Sequence, residues 1–116
     1  MMNIGKFSPA IEKEINESGY HIFNQSLPSN CYPNKFPKFN KIDKINIGKI
    51  YGIRLFIGIG TGVNQTIDSG LISILILSKA SESFVGEILT LIPNNFPIAK
   101  GQHINLTKDN ILYEQI

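Results

Sequence analysis

Tryptophan is absent, arginine occurs once (Arg54) and cysteine once (Cys31). A single cysteine permits no internal disulfide and no cysteine-based zinc cluster. Valine occurs twice and alanine three times. Charged residues make up 17% of the chain, low for a soluble domain, and the net charge is only +2. That charge is too small to be a nucleic-acid footprint. The longest apolar stretch, Leu71 to Leu77, is interrupted by Ser73 and falls far short of the ~20 residues that span a bilayer. Met1 to Lys6 leads into no apolar run with a cleavage site. An intracellular protein with no membrane association is therefore expected.

What the chain does contain is biased. Isoleucine supplies 21 residues, asparagine 12 and lysine 10. This pattern matches an AT-rich coding sequence, so part of it reflects drift in composition. At 116 residues the chain forms a single domain, 1–116. A domain of this size buries only about two-thirds of its unfolded surface, which leaves a modest core that oligomerisation would help.

Local signals predict one helix and several strands. Ser8-Pro9 is an N-cap followed by proline at the first helical position. Ile11 and Ile15 lie four apart and Gly19 is a stop, which predicts a short helix from Pro9 to Ser18. Tyr20 to Asn24 is a short strand candidate. Leu27 to Lys41 carries Pro28, Pro33 and Pro37 among asparagines, which is loop chemistry. Ile45 and Ile47 alternate with polar residues, and Ile53, Leu55, Ile57 and Ile59 share one parity. Gly58, Gly60 and Gly62 weaken or bend the end of that strand. Leu71 to Leu77 is apolar at both parities, as in a strand covered on two sides. Phe84 to Ile92, Ile104 to Leu106 and Ile111 to Tyr113 are further strands. Asp68-Ser69-Gly70, Pro93-Asn94-Asn95 and Lys100-Gly101 are the expected turns. Strands at this spacing predict a small sandwich or barrel.

The chemistry-bearing residues are few. His21 and His103 have no matched carboxylate or cysteine set, which favours structural or surface roles over a metal site. Asp68-Ser69-Gly70 matches an aspartic-protease triplet, but no second copy or later hydrophobic-hydrophobic-glycine segment accompanies it, and a β-turn is favoured. Lys35, Lys38, Lys41 and Lys44 interleave with Tyr32, Phe36 and Phe39. Such a loop can stack bases and neutralise phosphates. The small net charge favours a solvated loop pinned by its phenylalanines. Asn64-Gln65-Thr66 and Asn105-Leu106-Thr107 match glycosylation acceptors, which carry no meaning without export. The final Glu114-Gln115-Ile116 fits a groove that captures C-termini, a short pattern.

A collinear series extends from about Phe7 to Leu106. Ser18-Gly19-Tyr20-His21-Ile22 resembles the Ala-Gly-Tyr-Asp-Leu motif of trimeric dUTPases. Thr61-Gly62-Val63 resembles their Thr-Gly-hydrophobic step, and Gly70 to Leu77 resembles the strand before their Arg-Ser-Gly loop. Phe84-Val85-Gly86-Glu87-Ile88 is similar to Tyr-Arg-Gly-Glu-Ile. Asn94 or Asn95, then Ile98-Ala99-Lys100-Gly101-Gln102-His103-Ile104, is similar to the asparagine and Ile-Lys-Lys-Gly-Asp-Arg-Ile that follow. The resemblance implies an all-β fold, a distorted jelly roll or β-clip barrel of dUTPase type, with at most one short N-terminal helix. It also implies a homotrimer with sites between subunits, and an extended chain where local signals predict the Pro9–Ser18 helix.

Measured against that family, the reaction machinery is missing. Phosphoryl transfer to water needs a positioned water, a metal ion and neutralising cations. The first-motif carboxylate that helps hold magnesium is replaced by His21, a poor partner for a hard ion. Ser78-Lys79-Ala80 occupies the Arg-Ser-Gly region, and Lys79 offers a point charge without a fork. Only Ser81-Glu82-Ser83 stands where the uracil-reading hairpin and the water-activating aspartate belong. Phe84 matches the deoxyribose-packing tyrosine, while Gly86 and Glu87 keep the scaffold motif. No residue matches the later glutamine, and the glycine-rich tail has no counterpart.

The expectation is a catalytically inactive, dUTPase-like protein-binding or regulatory domain that needs no metal and no cofactor. A viral, phage or mobile-element source suits the composition. The unidentified protein partner is expected at the Leu27–Lys44 loop, with Tyr32, Lys35, Phe36, Lys38 and Phe39, or at the Thr107–Ile116 tail. One alternative is a divergent nucleotide hydrolase rebuilt from Glu82, Glu87, Lys79 and His21. Another is a structural module of a particle surface.

Overall fold

The computed structural model describes residues 7–37, 39, 42, 44–59, 66–93 and 96–115. It is mainly β. Helix α1 (Pro9–Ser18) leads into six strands: β1 (Tyr20–Ile22), β2 (Ile50–Ile59), β3 (Thr66–Lys79), β4 (Ser83–Ile88), β5 (His103–Thr107) and β6 (Tyr113–Gln115). The strands form one antiparallel sheet curled into a half-barrel, in the order β1-β2-β3-β4-β5. β6 and β1 share one edge of β2: β6 pairs with Ile50–Gly52 and β1 with Leu55–Ile57.

The helix forms for the local reasons. The Ser8 hydroxyl accepts from the Ile11 N–H at 3.4 Å, and Pro9 occupies the first turn. Gly19 ends it at φ 88°, a left-handed conformation that suits a residue without Cβ, and its N–H donates to the Ile15 carbonyl. Ile11 and Ile15 are its buried residues. The extended chain implied by the dUTPase resemblance does not occur there. Capping and the i, i+4 isoleucine pair decide the segment once β1 and β2 offer a surface to pack on.

Two hydrophobic clusters sandwich β2. Tyr51, Ile53, Leu55 and Ile57 point to the concave side and join Ile72, Ile74, Ile76, Phe84, Ile88, Ile104 and Leu106. Ile45, Ile92, Ile98 and Ile111 close this cluster from the connecting segments. On the convex side, Phe56 packs with Ile11, Ile15, Phe23, Tyr32 and Leu112. Gly52 lies between them, under the Tyr113 ring, whose hydroxyl sits 2.6 Å from where a Cβ would stand. A side chain there would displace that ring.

Three sequence-based expectations need correction. Asp68-Ser69-Gly70 is not a turn: it lies inside β3, paired with Leu55–Ile57. The ten-residue ladder with β2 overrides the local turn preference. Ile45 and Ile47 form no strand, because Ile45 plugs the core while Ile47 is exposed beside a turn. The last strand begins at Tyr113, after a 3-10 turn at Lys108–Asn110. Gly60, Thr61-Gly62-Val63, Asn64-Gln65 and Asn94-Asn95 lie outside the described residues.

Candidate functional site

The dUTPase-like positions disperse over the sheet. Ser78 and Lys79 sit at the exposed end of β3, opposite Val85 and Phe84. Phe84 and Gly86 face the concave core and are buried, whereas Glu87 is half-buried and pairs with Leu75 and His103. Phe84 and Glu82 line a cleft of about 530 Å³ with Asn24, Ser81, Thr107, Lys108 and Asp109. His21 does not join them. It lies on β1, three strands from β4, with its ring under the helix. Among the described residues, no three His, Cys, Asp or Glu side chains come together as a cation site.

His21 belongs to a constellation with no sequence signal, because its members come from a helix, a strand and a loop. Its Nδ1 lies 2.9 Å from a Glu14 carboxylate oxygen, and its Nε2 lies 2.8 Å from the Tyr32 hydroxyl. That hydroxyl also accepts from the Asn24 N–H at 3.0 Å. With the ring proton on Nδ1, His21 donates to Glu14 and accepts from Tyr32, and every link is satisfied. The order carboxylate–imidazole–hydroxyl is that of a nucleophile relay. Here the hydroxyl end is closed. Tyr32 is 6% exposed and packs among Phe7, His21, Phe23, Phe36 and Phe56. A cleft on this face, lined by Phe7, Phe36 and Phe56, does not reach it. The network latches α1 and the proline-rich loop to the sheet.

Burial pushes the Tyr32 phenol above its ordinary value of 10.0, the Asn24 hydrogen bond pulls it down, and Cys31 and Glu14 add smaller upward pushes. Below the ordinary value, folded and unfolded chains both keep the proton and the contribution is complete. As pH rises further the unfolded chain ionises first, so stability falls until the raised folded value is passed. The expected result is a larger loss of denaturant midpoint between about pH 9 and about pH 11 in the native chain than in Tyr32→Phe. Equal losses in the two proteins would mean that Tyr32 ionises freely.

The partner-binding candidates divide. Tyr32 is a core residue and Phe36 is half-buried, with the Arg54 guanidinium 4.8 Å above its ring. Both act as pins for the loop. Lys35 is exposed, and Phe39, 37% exposed, rests on Tyr113. Phe39, Ile42, Ile111 and Gln25 line a cleft of about 320 Å³. Lys38 and Ile116 lie outside the described residues. The tail is no free peptide through Gln115, because Tyr113–Gln115 is a strand of the sheet and Gln115 accepts from the Ser73 hydroxyl at 2.9 Å. Among the described residues no helix is long and apolar enough to cross a membrane. Compared with known proteins, this chain matches no family, no curated protein and no solved structure.

Proposed function

We propose that the chain is a non-catalytic, dUTPase-like binding domain, a distorted jelly roll that acts through contact with another protein. One observation carries this reading. The residue at the family's metal-carboxylate position, His21, has both ring nitrogens engaged by Glu14 and Tyr32 inside the protein. An imidazole committed to holding a helix in place is not offered to a nucleotide. The exposed Lys35, the ring edge of Phe39 and the cleft that Phe39 shares with Ile42 and Ile111 supply the contact surface. The chemistry of the cleft, an apolar floor rimmed by Lys108 and Asp109, suits a protein segment carrying an apolar anchor.

A divergent nucleotide hydrolase is the second reading, favoured by the larger cleft that holds Glu82, Asp109 and Phe84. One assay separates the two. Incubation with dUTP and magnesium is expected to release no pyrophosphate above the buffer blank. Robust release that is lost in Glu82→Gln would establish the hydrolase and end the binding-domain reading.

A further inference from the structure

β3 is apolar on both faces, but among the described residues its second face is covered only in part: Ile67 packs against the Phe56 cluster and the Ser73 hydroxyl donates to Gln115, while Leu71 stays exposed. Ile72, Ile74 and Ile76 point into the concave core. Leu71 and Leu75 alternate with them and point to the convex side. Leu71 is 46% exposed, and Leu75, Leu77 and Val85 are half-buried. Helix α1 gives no cover here, because it packs on β1 and β2. An antiparallel sheet with one wet face ordinarily places polar residues on it. A row of leucine and valine side chains there, with Leu71 as its exposed member, marks a contact surface.

The charges beside the stripe indicate what covers it. In the ladder Arg54 lies directly opposite Leu71, and Glu87 lies directly opposite Leu75. One cation and one anion therefore occupy opposite corners of the same apolar patch, with Ser73 midway between them. A twofold axis lying in the interface over Ser73 brings Arg54 of one copy onto Glu87 of the other, and the reciprocal pair forms by symmetry. Isologous contacts need this self-complementarity. His103, across from Glu87 on β5, is exposed at the rim. We propose that two copies of this chain stack the convex faces of β3 and β4 into a twofold dimer, with Arg54, whose guanidinium also lies over the Phe36 ring, at the border of the covered face of β2.

Size sets the strength. Two strands ~4.8 Å apart and about seven residues long at ~3.3 Å each present roughly 220 Å², under a third of the ~800 Å² per partner of a standard interface. The dimer is accordingly weak, with dissociation in the micromolar range.

Sedimentation velocity of the full chain from about 1 to about 300 µM tests the proposal. The mass is expected to rise from one copy to two across that range. Leu71→Lys, at an exposed position, should raise the midpoint at least about tenfold with an unchanged thermal transition. Glu87→Arg should weaken association about tenfold, since two symmetric pairs become like charges, and Arg54→Glu in the same chain should restore it. A chain that stays monomeric, a mass of three copies, or a double variant that folds but does not recover would overturn the proposal. So would association that survives Leu71→Lys and is lost in Asn105→Pro, which would place the contact at the β5 edge. The result is independent of the dUTP assay.

Discussion

Tyr51→Ala is expected to lower the unfolding free energy by about 4 kcal/mol, with a fall of roughly 15 °C in Tm. Tyr51 is 0% exposed and stands near the start of β2, paired with Ile74 on one side and Glu114 on the other. Ladders on both sides hold the backbone, so the sheet cannot close over the space that the ring leaves. The cavity term is then felt in full. The hydroxyl adds a smaller part, because it accepts from the Asn46 N–H at 2.8 Å and so ties the segment before β2 to the core. Tyr51→Phe isolates that bond and is expected to cost about 1 kcal/mol, since Asn46 is partly exposed and water can replace the oxygen. Denaturant titration measures both. A cost below about 1.5 kcal/mol for the alanine variant would show that the concave cluster does not dominate the fold.

The second large effect is on the opposite face. Phe56→Ala is expected to cost about 3–4 kcal/mol, but with a different pattern. Phe56 stacks on Tyr32 at 5.5 Å and on His21 at 6.0 Å, and meets Phe7, Phe36 and Phe23 edge-on. Its removal strips the anchor from α1 and the proline-rich loop while leaving the concave cluster intact. Hydrogen exchange should therefore accelerate most in α1, with β3 and β4 keeping protection in proportion to what global stability remains. Phe56→Leu, which fills most of the volume, should cost about 1.5 kcal/mol or less. Equal acceleration of α1 and the β3–β4 amides would show one cooperative unit in place of two layers.

These variants also bear on function. The latch of Glu14, His21, Tyr32 and the Asn24 amide sits in the layer that Phe56 supports. If the exposed rim of the loop carries the partner contact, Phe56→Ala should weaken that contact through loss of loop order, whereas Tyr51→Phe should leave it unchanged.

Much of the secondary structure was legible. The Ser8-Pro9 cap, the Ile11/Ile15 pair and Gly19 marked α1 to the residue, against the extended chain that the dUTPase resemblance implied. The parity of Ile53, Leu55 and Ile57 marked the concave face of β2. Asp68-Ser69-Gly70 misled because turn chemistry is a short-range preference, and ten paired residues of β2 outweighed it. Ile45 and Ile47 misled because two alternating residues do not distinguish a strand from a single core plug beside a turn. His21 gave no warning of its role, since Glu14 and Tyr32 are brought to it from seven and eleven residues away by different elements.

The amino-acid order alone determined the span of α1, the core-facing parity of Ile53, Leu55 and Ile57, and that β3 carries apolar side chains on both sides. Those properties depend on neighbours a few residues apart, through capping and side-chain period. Tertiary structure decided which strands pair, that His21 is locked beneath α1, and that Leu71 stays exposed on the second face of β3. Long-range ladders and the placement of one helix set these, and no local pattern encodes them.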